Sequence, residues 1–307
     1  MHKHHLSKPL SSLFMLSLLF AAGACGDQSS DEEPARPPSA GSNVNANYLV
    51  RPEYGRTEFP RLREKNAVVL VKKTAGKFDS DGVNYAVEWD IVKKAQRWCA
   101  YQMHKGYTGN AGYYGLFLED PDLPVSARFD DTNAMYSGSG FTRGHICPSA
   151  DRQYSKEANK QTFYYTNIHP QYYNFNAGKN YTGVWVVMED RLRKWTSQLP
   201  ATDTLFVVKG GTIEDGRVLT PVKGRLVVPA YFFVALLHKS PQGYRPLAFL
   251  FEHNNDVLNK VSLGDHVLSI RDLEEFTQID FFCNLPDKVE QTLETMPADR
   301  IRSIWGL

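Results

Sequence analysis

Three runs between residues 141 and 200 hold side chains that can move protons, carry positive charge or ligate a hard cation. The first is Thr142-Arg143-Gly144-His145-Ile146-Cys147-Pro148-Ser149-Ala150-Asp151-Arg152. The second is Thr166-Asn167-Ile168-His169-Pro170-Gln171, followed by Phe175-Asn176-Ala177-Gly178. The third is Trp185-Val186-Val187-Met188-Glu189-Asp190-Arg191-Leu192-Arg193. Hydrolysing a phosphodiester needs a base for water, a cation near the scissile phosphate and donors for the charge that develops. His145 stands beside an Arg-Gly pair that would supply the cation, and Gly144 would let the backbone approach a ligand closely. Asn176 offers a neutral oxygen, which suits a hard ion such as Mg2+ that keeps most of its waters. Residue types alone leave the plainer reading open: a lone histidine is more often a satisfied structural residue, and an Asn-Gly-rich stretch is more often a turn.

These residues need elements to hold them. Val184, Met188, Leu192 and Trp195 follow helical spacing, which predicts an amphipathic helix with Glu189 and Arg193 four apart on one face. Strands are predicted over Ala67 to Lys73, Tyr85 to Ile91, Asp203 to Gly210, Arg225 to Leu237 and Arg245 to Glu252. Ser269 with Asp272 reads as a helix start, and Pro286 as the first position of a helix carrying Val289 and Leu293. Strands and helices mix without βαβ alternation, so the expected class is α+β in one domain from about Tyr48 to Leu307. No GxGxxG or Walker A loop supports a nucleotide-binding fold.

The chain has 307 residues, 42% of them hydrophobic and 22% charged, values that exclude a disordered chain, a collagen or a disulfide-dense miniprotein. Net charge is +1, so any polyanion site must be a local patch. Residues 141–200 supply one: eight basic residues against four acidic, with 11 aromatics among them, a mixture suited to a nucleic-acid groove.

The first residues read as targeting sequence. Lys3 and Lys8 precede an apolar run, Leu13 to Ala24, that ends in small residues directly before Cys25. Residues 1–24 resemble a bacterial lipoprotein signal, with Ala22 where the usual pattern has Leu. That implies an exported protein with a lipid anchor at Cys25, held on a membrane facing the periplasm or the surface. Residues 25–47, rich in Ser, Pro, Asn and acids, are expected to be a flexible tether.

Taken in order, TRGHICPSADR, TNIHPQ, FNAG and VWVVMEDRLRKW resemble the DNA/RNA non-specific endonucleases, the ββα-metal (His-Me finger) family of Serratia-type nucleases and mitochondrial endonuclease G. The similarity runs from about Tyr54 to Thr295. It implies an α+β fold with a central, mainly antiparallel sheet flanked by helices. It implies an endonuclease that cuts DNA and RNA, depends on Mg2+ or Mn2+ and leaves 5′-phosphates. By resemblance His145 is the general base, Arg143 holds the substrate phosphate and Asn167 supports the site. Asn176 is the single protein ligand of the metal, Glu189 orients the metal's water, and Arg193 neutralises charge near the leaving group. DNA and RNA are the implied partners, and no protein partner is implied. The rival reading is a non-catalytic surface lipoprotein that keeps the fold to bind nucleic acid or another polyanion.

The chain departs from the family pattern at several places. Thr142 stands where the family usually has Asp. Five extra residues, Lys179 to Gly183, separate Asn176 from Trp185, which makes Asn180 a rival metal ligand. Cys283 stands where the family often has proline. With export implied and Cys99 in a core segment, a Cys99–Cys283 disulfide is expected, with Cys147 reduced.

Overall fold

The computed structural model describes residues 43–75, 81–106 and 109–307. These lie within one compact unit, Pro34–Leu307. The signal-like residues and Cys25 fall outside the described part.

The strands, in chain order, are β1 (Ala67–Lys73), β2 (Val83–Asp90), β3 (Ala95–Met103), β4 (Thr142–His145), β5 (Ile168–Gln171) and β6 (Thr204–Gly211). After them come β7 (Val218–Val222), β8 (Leu226–Pro229), β9 (Tyr231–Ser240), β10 (Gly243–Glu252) and β11 (Val267–Leu268). The α-helices are α1 (Thr132–Tyr136), α2 (Lys156–Gln161), α3 (Tyr173–Asn176), α4 (Val184–Gln198), α5 (Ile270–Thr277), α6 (Asp287–Glu294) and α7 (Ala298–Trp305). Seven strands form one sheet in the order β1-β2-β3-β6-β9-β10-β11, every neighbouring pair antiparallel. The expected α+β class and antiparallel sheet are both present. The strand-rich stretch predicted over Arg225 to Leu237 holds β8 and the first part of β9, and Pro286 caps α6 from outside rather than opening it.

The central strands are covered on both sides, so they read as buried runs rather than as a polar-apolar alternation. Side chains still alternate between faces with a period of two. Val87, Cys99, Tyr101, Val207 and Val234 face one core, under α4. Ala86, Trp98, Ala100, Phe206, Val208 and Phe233 face the other, under α5 and α6. α4 seats Val184, Trp185, Met188 and Leu192 on the first face, as its periodicity predicts.

The same alternation corrects the expected disulfide. Cys99 points to the first face, where its thiol meets that of Cys147. Cys283 Sγ donates to Phe59 O, 3.7 Å away, and Phe59 belongs to the core on the opposite face. The sheet separates the two, and Cys99, Cys147 and Cys283 are all free thiols.

Asn43 to Asn47, read above as the end of the tether, are docked. Asn43 Nδ2 donates to Cys283 O (3.0 Å) and Leu285 O (2.6 Å). Asn45 Nδ2 donates to Asp280 Oδ2 and Glu290 Oε1, both at 3.1 Å. Asn47 Oδ1 accepts from Leu62 N at 2.9 Å. Asn43 thus pairs two carbonyls of the segment around residues 283–285, Asn45 two carboxylates, and Asn47 the Leu62 amide.

Candidate active site

β4 and β5 pair antiparallel at one side of the first core, with Gly144 opposite His169 and His145 opposite Ile168. α4 crosses nearby: its Trp185 indole donates to His145 O at 3.1 Å. Two short strands and a helix thus form a ββα unit. Trp185 is itself buried in the first core, which fixes where α4 meets β4.

Arg143 and His145 are two apart on β4, so both project to one face. There they share Phe117: the Arg143 guanidinium lies 5.2 Å from its ring and the His145 ring 5.6 Å. Tyr136 packs on the other contact of Arg143 at 5.4 Å, and Asn133 Oδ1 accepts from its Nη2 at 2.6 Å. The edge of Phe163 meets the His145 ring at 4.8 Å. His145 Nε2 is buried, and no group among the described residues bonds to it. Burial, helped by the Lys209 cation, pushes the imidazole down to about 4, so it is neutral across the physiological range. A neutral imidazole with an unengaged nitrogen can accept a proton.

Gly144 serves packing rather than a ligand. A Cβ there would stand 2.0 Å from Gln171 Oε1, whose side chain lies across the β4 backbone. Asn167 is fully buried and acts on the loop after His145. Its Oδ1 accepts from Cys147 N at 2.8 Å, and its Nδ2 donates to Cys147 O (2.9 Å) and Thr162 O (2.8 Å). It pairs both backbone groups of Cys147, which would cost about 1–3 kcal/mol each if left buried and unmet.

Asn176 ends α3. Its Nδ2 donates to Thr142 Oγ1 at 3.0 Å, and Thr142 Oγ1 donates to Gln171 O at 2.9 Å. Thr142, in place of the family's Asp, therefore orients the asparagine amide and leaves Oδ1 as its unengaged end. The extra residues after it form an excursion that returns to its start: Gly183 N donates to Ala177 O at 2.9 Å. Asn180 sits exposed on this excursion with φ 58 and ψ 31, and no hydrogen bond among the described residues joins it to β4. Asn176, not Asn180, is tied to the strand that carries His145.

His253 holds the entry to α3. Its Nε2 accepts from Tyr172 N at 2.8 Å while Nδ1 donates to Pro229 O at 2.7 Å. Burial pushes this imidazole also to about 4. Only the neutral ring can make both bonds.

Glu189 follows Trp185 by one turn of α4, and Arg193 follows by another, so the predicted face is real. Arg193 is engaged by two carboxylates, Asp151 Oδ1 at 2.9 Å and Asp190 Oδ1. Burial works against its charge, but Asp151 and Glu189 more than offset that and hold it firmly protonated. Glu189 Oε1 lies 3.2 Å from Lys209 Nζ, a side chain with no exposed surface. Burial raises the Glu189 carboxyl, while Lys209 and Arg193 pull it back toward its ionised form.

Lys209 and Asp151 are the site residues that sequence reasoning did not single out. Lys209 sits in β6 opposite Cys99, with its ammonium 4.8 Å from the Trp185 ring and 5.8 Å from Tyr101. A lysine directly after the apolar run Leu205 to Val208 and before Gly210-Gly211 was the available signal. A charge in a strand covered on both faces must be paired.

Comparison with known proteins gives the family and the fold. The DNA/RNA non-specific endonuclease family matches residues 70–288. The chain is 31% identical over 221 residues to a nuclease of Nostoc sp., covering 69% of this chain and 75% of that protein. It is 32% identical over 216 residues to the mitochondrial nuclease EXOG of Xenopus laevis, covering 66% of this chain and 58% of that one. A chain of the EndoG/EndoGI complex crystal structure shares the fold at 16% identity, with a TM-score of 0.55 over 70% of this chain and 86% of that chain. The ββα unit, the antiparallel sheet behind it and a match spanning most of the chain lead to one assignment: the protein belongs to the DNA/RNA non-specific endonuclease family.

Proposed function

We propose that the protein is a sugar-non-specific endonuclease that hydrolyses phosphodiester bonds of DNA and RNA with the help of a divalent cation. The observation that carries this reading is the neutral, half-buried His145, whose Nε2 has no partner among the described residues, on the same strand face as Arg143. His145 accepts the proton of the attacking water. Arg143, braced against Phe117 and Tyr136, faces the phosphate with its charge. Asn167 keeps the loop after His145 in place, so the imidazole does not move when it becomes charged.

Asn176 Oδ1 suits Mg2+ or Mn2+: it is a hard neutral oxygen whose amide is already oriented by Thr142. Such a cation supplies positive charge for the oxyanions of the reacting phosphate. Glu189, held by Lys209, is placed to accept hydrogen bonds from water beside it, and Arg193 adds positive charge on the leaving-group side. Water attack that expels the 3′ oxygen leaves 5′-phosphates.

The test is an in-gel assay on DNA and on RNA, with and without EDTA. Clearing of both that EDTA abolishes and Mg2+ restores is expected. Binding without clearing would instead favour a non-catalytic nucleic-acid binder. The proposed location is a membrane to which Cys25 is anchored by lipid. Palmitate labelling that disappears in Cys25→Ser is the expected result, and labelling that persists would reject the anchor.

A further inference from the structure

The loop over residues 109–117 presents aromatic surface beside His145. Tyr113 is 66% exposed and Leu116 65%, with Tyr114 at 38%. The exposure is built in, because the loop is pinned at several points. Ala111 N donates to Gln153 O (2.9 Å), Tyr114 N to Asn159 Oδ1 (2.9 Å) and Leu118 N to Phe163 O (3.1 Å). Gly112 and Gly115 take φ of +88 and +81, which L side chains rarely adopt. Tyr113 meets Phe163 at 4.9 Å, and Phe163 meets His145 at 4.8 Å, so at most about 10 Å separates the tyrosine ring from the imidazole. That is roughly three steps of a stacked strand at about 3.4 Å each.

Beside Tyr113 lies a cavity of about 320 Å³, bounded by Gly112, Tyr114, Asn159, Lys156, Glu157 and Lys160. No ion pair engages Lys156 or Lys160 among the described residues, while Glu157 accepts from Gln161 Nε2 at 3.4 Å.

We propose that this cavity is a substrate subsite in which an unpaired nucleobase stacks on the open face of Tyr113 while phosphates of the same strand lie against Lys156 and Lys160. The inference rests on the endonuclease reading above and adds to it a preference for strands whose bases are free. The chemistry fits a non-specific enzyme: every base has a π-face, so stacking tolerates any sequence and either sugar. The two lysines complement the phosphates without reading bases.

The experiment measures kcat and KM on a long single strand and on a dinucleotide, and equilibrium binding of the long strand in EDTA. Tyr113→Ala should raise KM and weaken binding on the long strand by about tenfold, the size of one lost base stack, with kcat little changed. The dinucleotide, too short to reach the cavity, should be cut by Tyr113→Ala as by wild type. Tyr113→Phe should behave as wild type. Lys156→Gln together with Lys160→Gln should flatten the log–log salt dependence of binding by about 1.4, or 0.7 for each lost phosphate contact. Tyr113 is exposed, so its loss does not threaten folding. A wild-type enzyme that cuts DNA while Tyr113→Ala keeps wild-type KM and binding overturns the subsite alone. A wild-type protein that binds strands through Tyr113 but cuts nothing overturns the endonuclease reading and leaves the subsite standing.

Discussion

Two regions of the molecule bury carboxylates, and they do so in opposite ways. Under α4, Glu189 and Asp151 face fixed cations, Lys209 and Arg193. Across the sheet, Glu274, Asp280, Glu290 and Glu294 surround a cavity of about 650 Å³ and mostly face one another, with Arg271 as the cation at the rim. There burial, and then like charge, pushes Glu274 up to about 9, while burial with Asp280 and Glu294 nearby pushes Glu290 up to about 8. Glu274 and Glu294 share a hydrogen bond. Around the cavity, burial and like charge raise the carboxyls together; under α4, Lys209 and Arg193 draw Glu189 back toward its ionised form against its burial. This cavity is therefore not where Lys209, Arg193 and His145 come together.

The comparison breaks first at His145. His145→Ala should lower kcat by on the order of 10²-fold to 10⁴-fold with strand binding retained. In the wild type, a base held near 4 stays neutral down to that pH, so the acid limb of kcat/KM should fall near pH 4 rather than in the usual histidine range. A near wild-type rate in the variant would remove His145 from the role, and an acid limb near 6.5 would show that burial does not hold its proton affinity down.

Lys209→Met tests the cation side. It leaves Glu189 short of its partner, and breaking a buried pair costs roughly 3–5 kcal/mol; the lower end applies, because Arg193 remains nearby. Urea unfolding should show the loss, and adding Glu189→Gln should recover much of it. With the Lys209 charge gone, the acid limb of activity should also move upward.

Glu274→Gln tests the cation-poor side and should act the other way. A carboxyl whose folded pKa is raised binds its proton more tightly when folded, so its stabilising effect is full below about 4.5 and is lost as pH rises toward 9. Removing the titration should stabilise the protein above pH 8 by more than about 1.4 kcal/mol, the worth of one pKa unit, and do little at pH 4. Thermal melts across pH check the sign.

The smallest effect concerns orientation. Thr142→Val removes the acceptor for Asn176 Nδ2, one hydrogen bond of about 1 kcal/mol, and should raise the metal concentration needed for half activity about fivefold. Asn180→Ala should leave it unchanged; the reverse ranking would move the ligand onto the excursion.

Some of this was legible in the sequence because a local pattern carried it. Val184, Met188 and Leu192 announce α4, and Ala67 to Lys73 announce β1 with its observed ends. β3 gave no such pattern. Gln96, Arg97 and Gln102 interrupt its apolar residues, and their partners, Thr166 O, Glu88 and Glu58, lie far along the chain or on other elements. The expected Cys99–Cys283 bridge is absent because composition does not say which face of a strand a residue occupies. Gly144 was read as room for a ligand because nothing local reveals that Gln171 fills the space. The candidate catalytic residues were recognisable from order and spacing, whereas Lys209, Asp151 and the aromatic wall around His145 become visible only when the sheet brings them together.

The docking of Asn43 to Asn47 against residues 280–290 also sets a direction. The described chain begins on the α5–α6 side of the sheet, and the His145 centre lies on the α4 side. Asn43 and the His145 centre therefore lie on opposite faces of the sheet. A support attached directly beside Asn43 should leave the His145 face open to long polymers, and immobilising the protein there should cost less activity than immobilising it through α4.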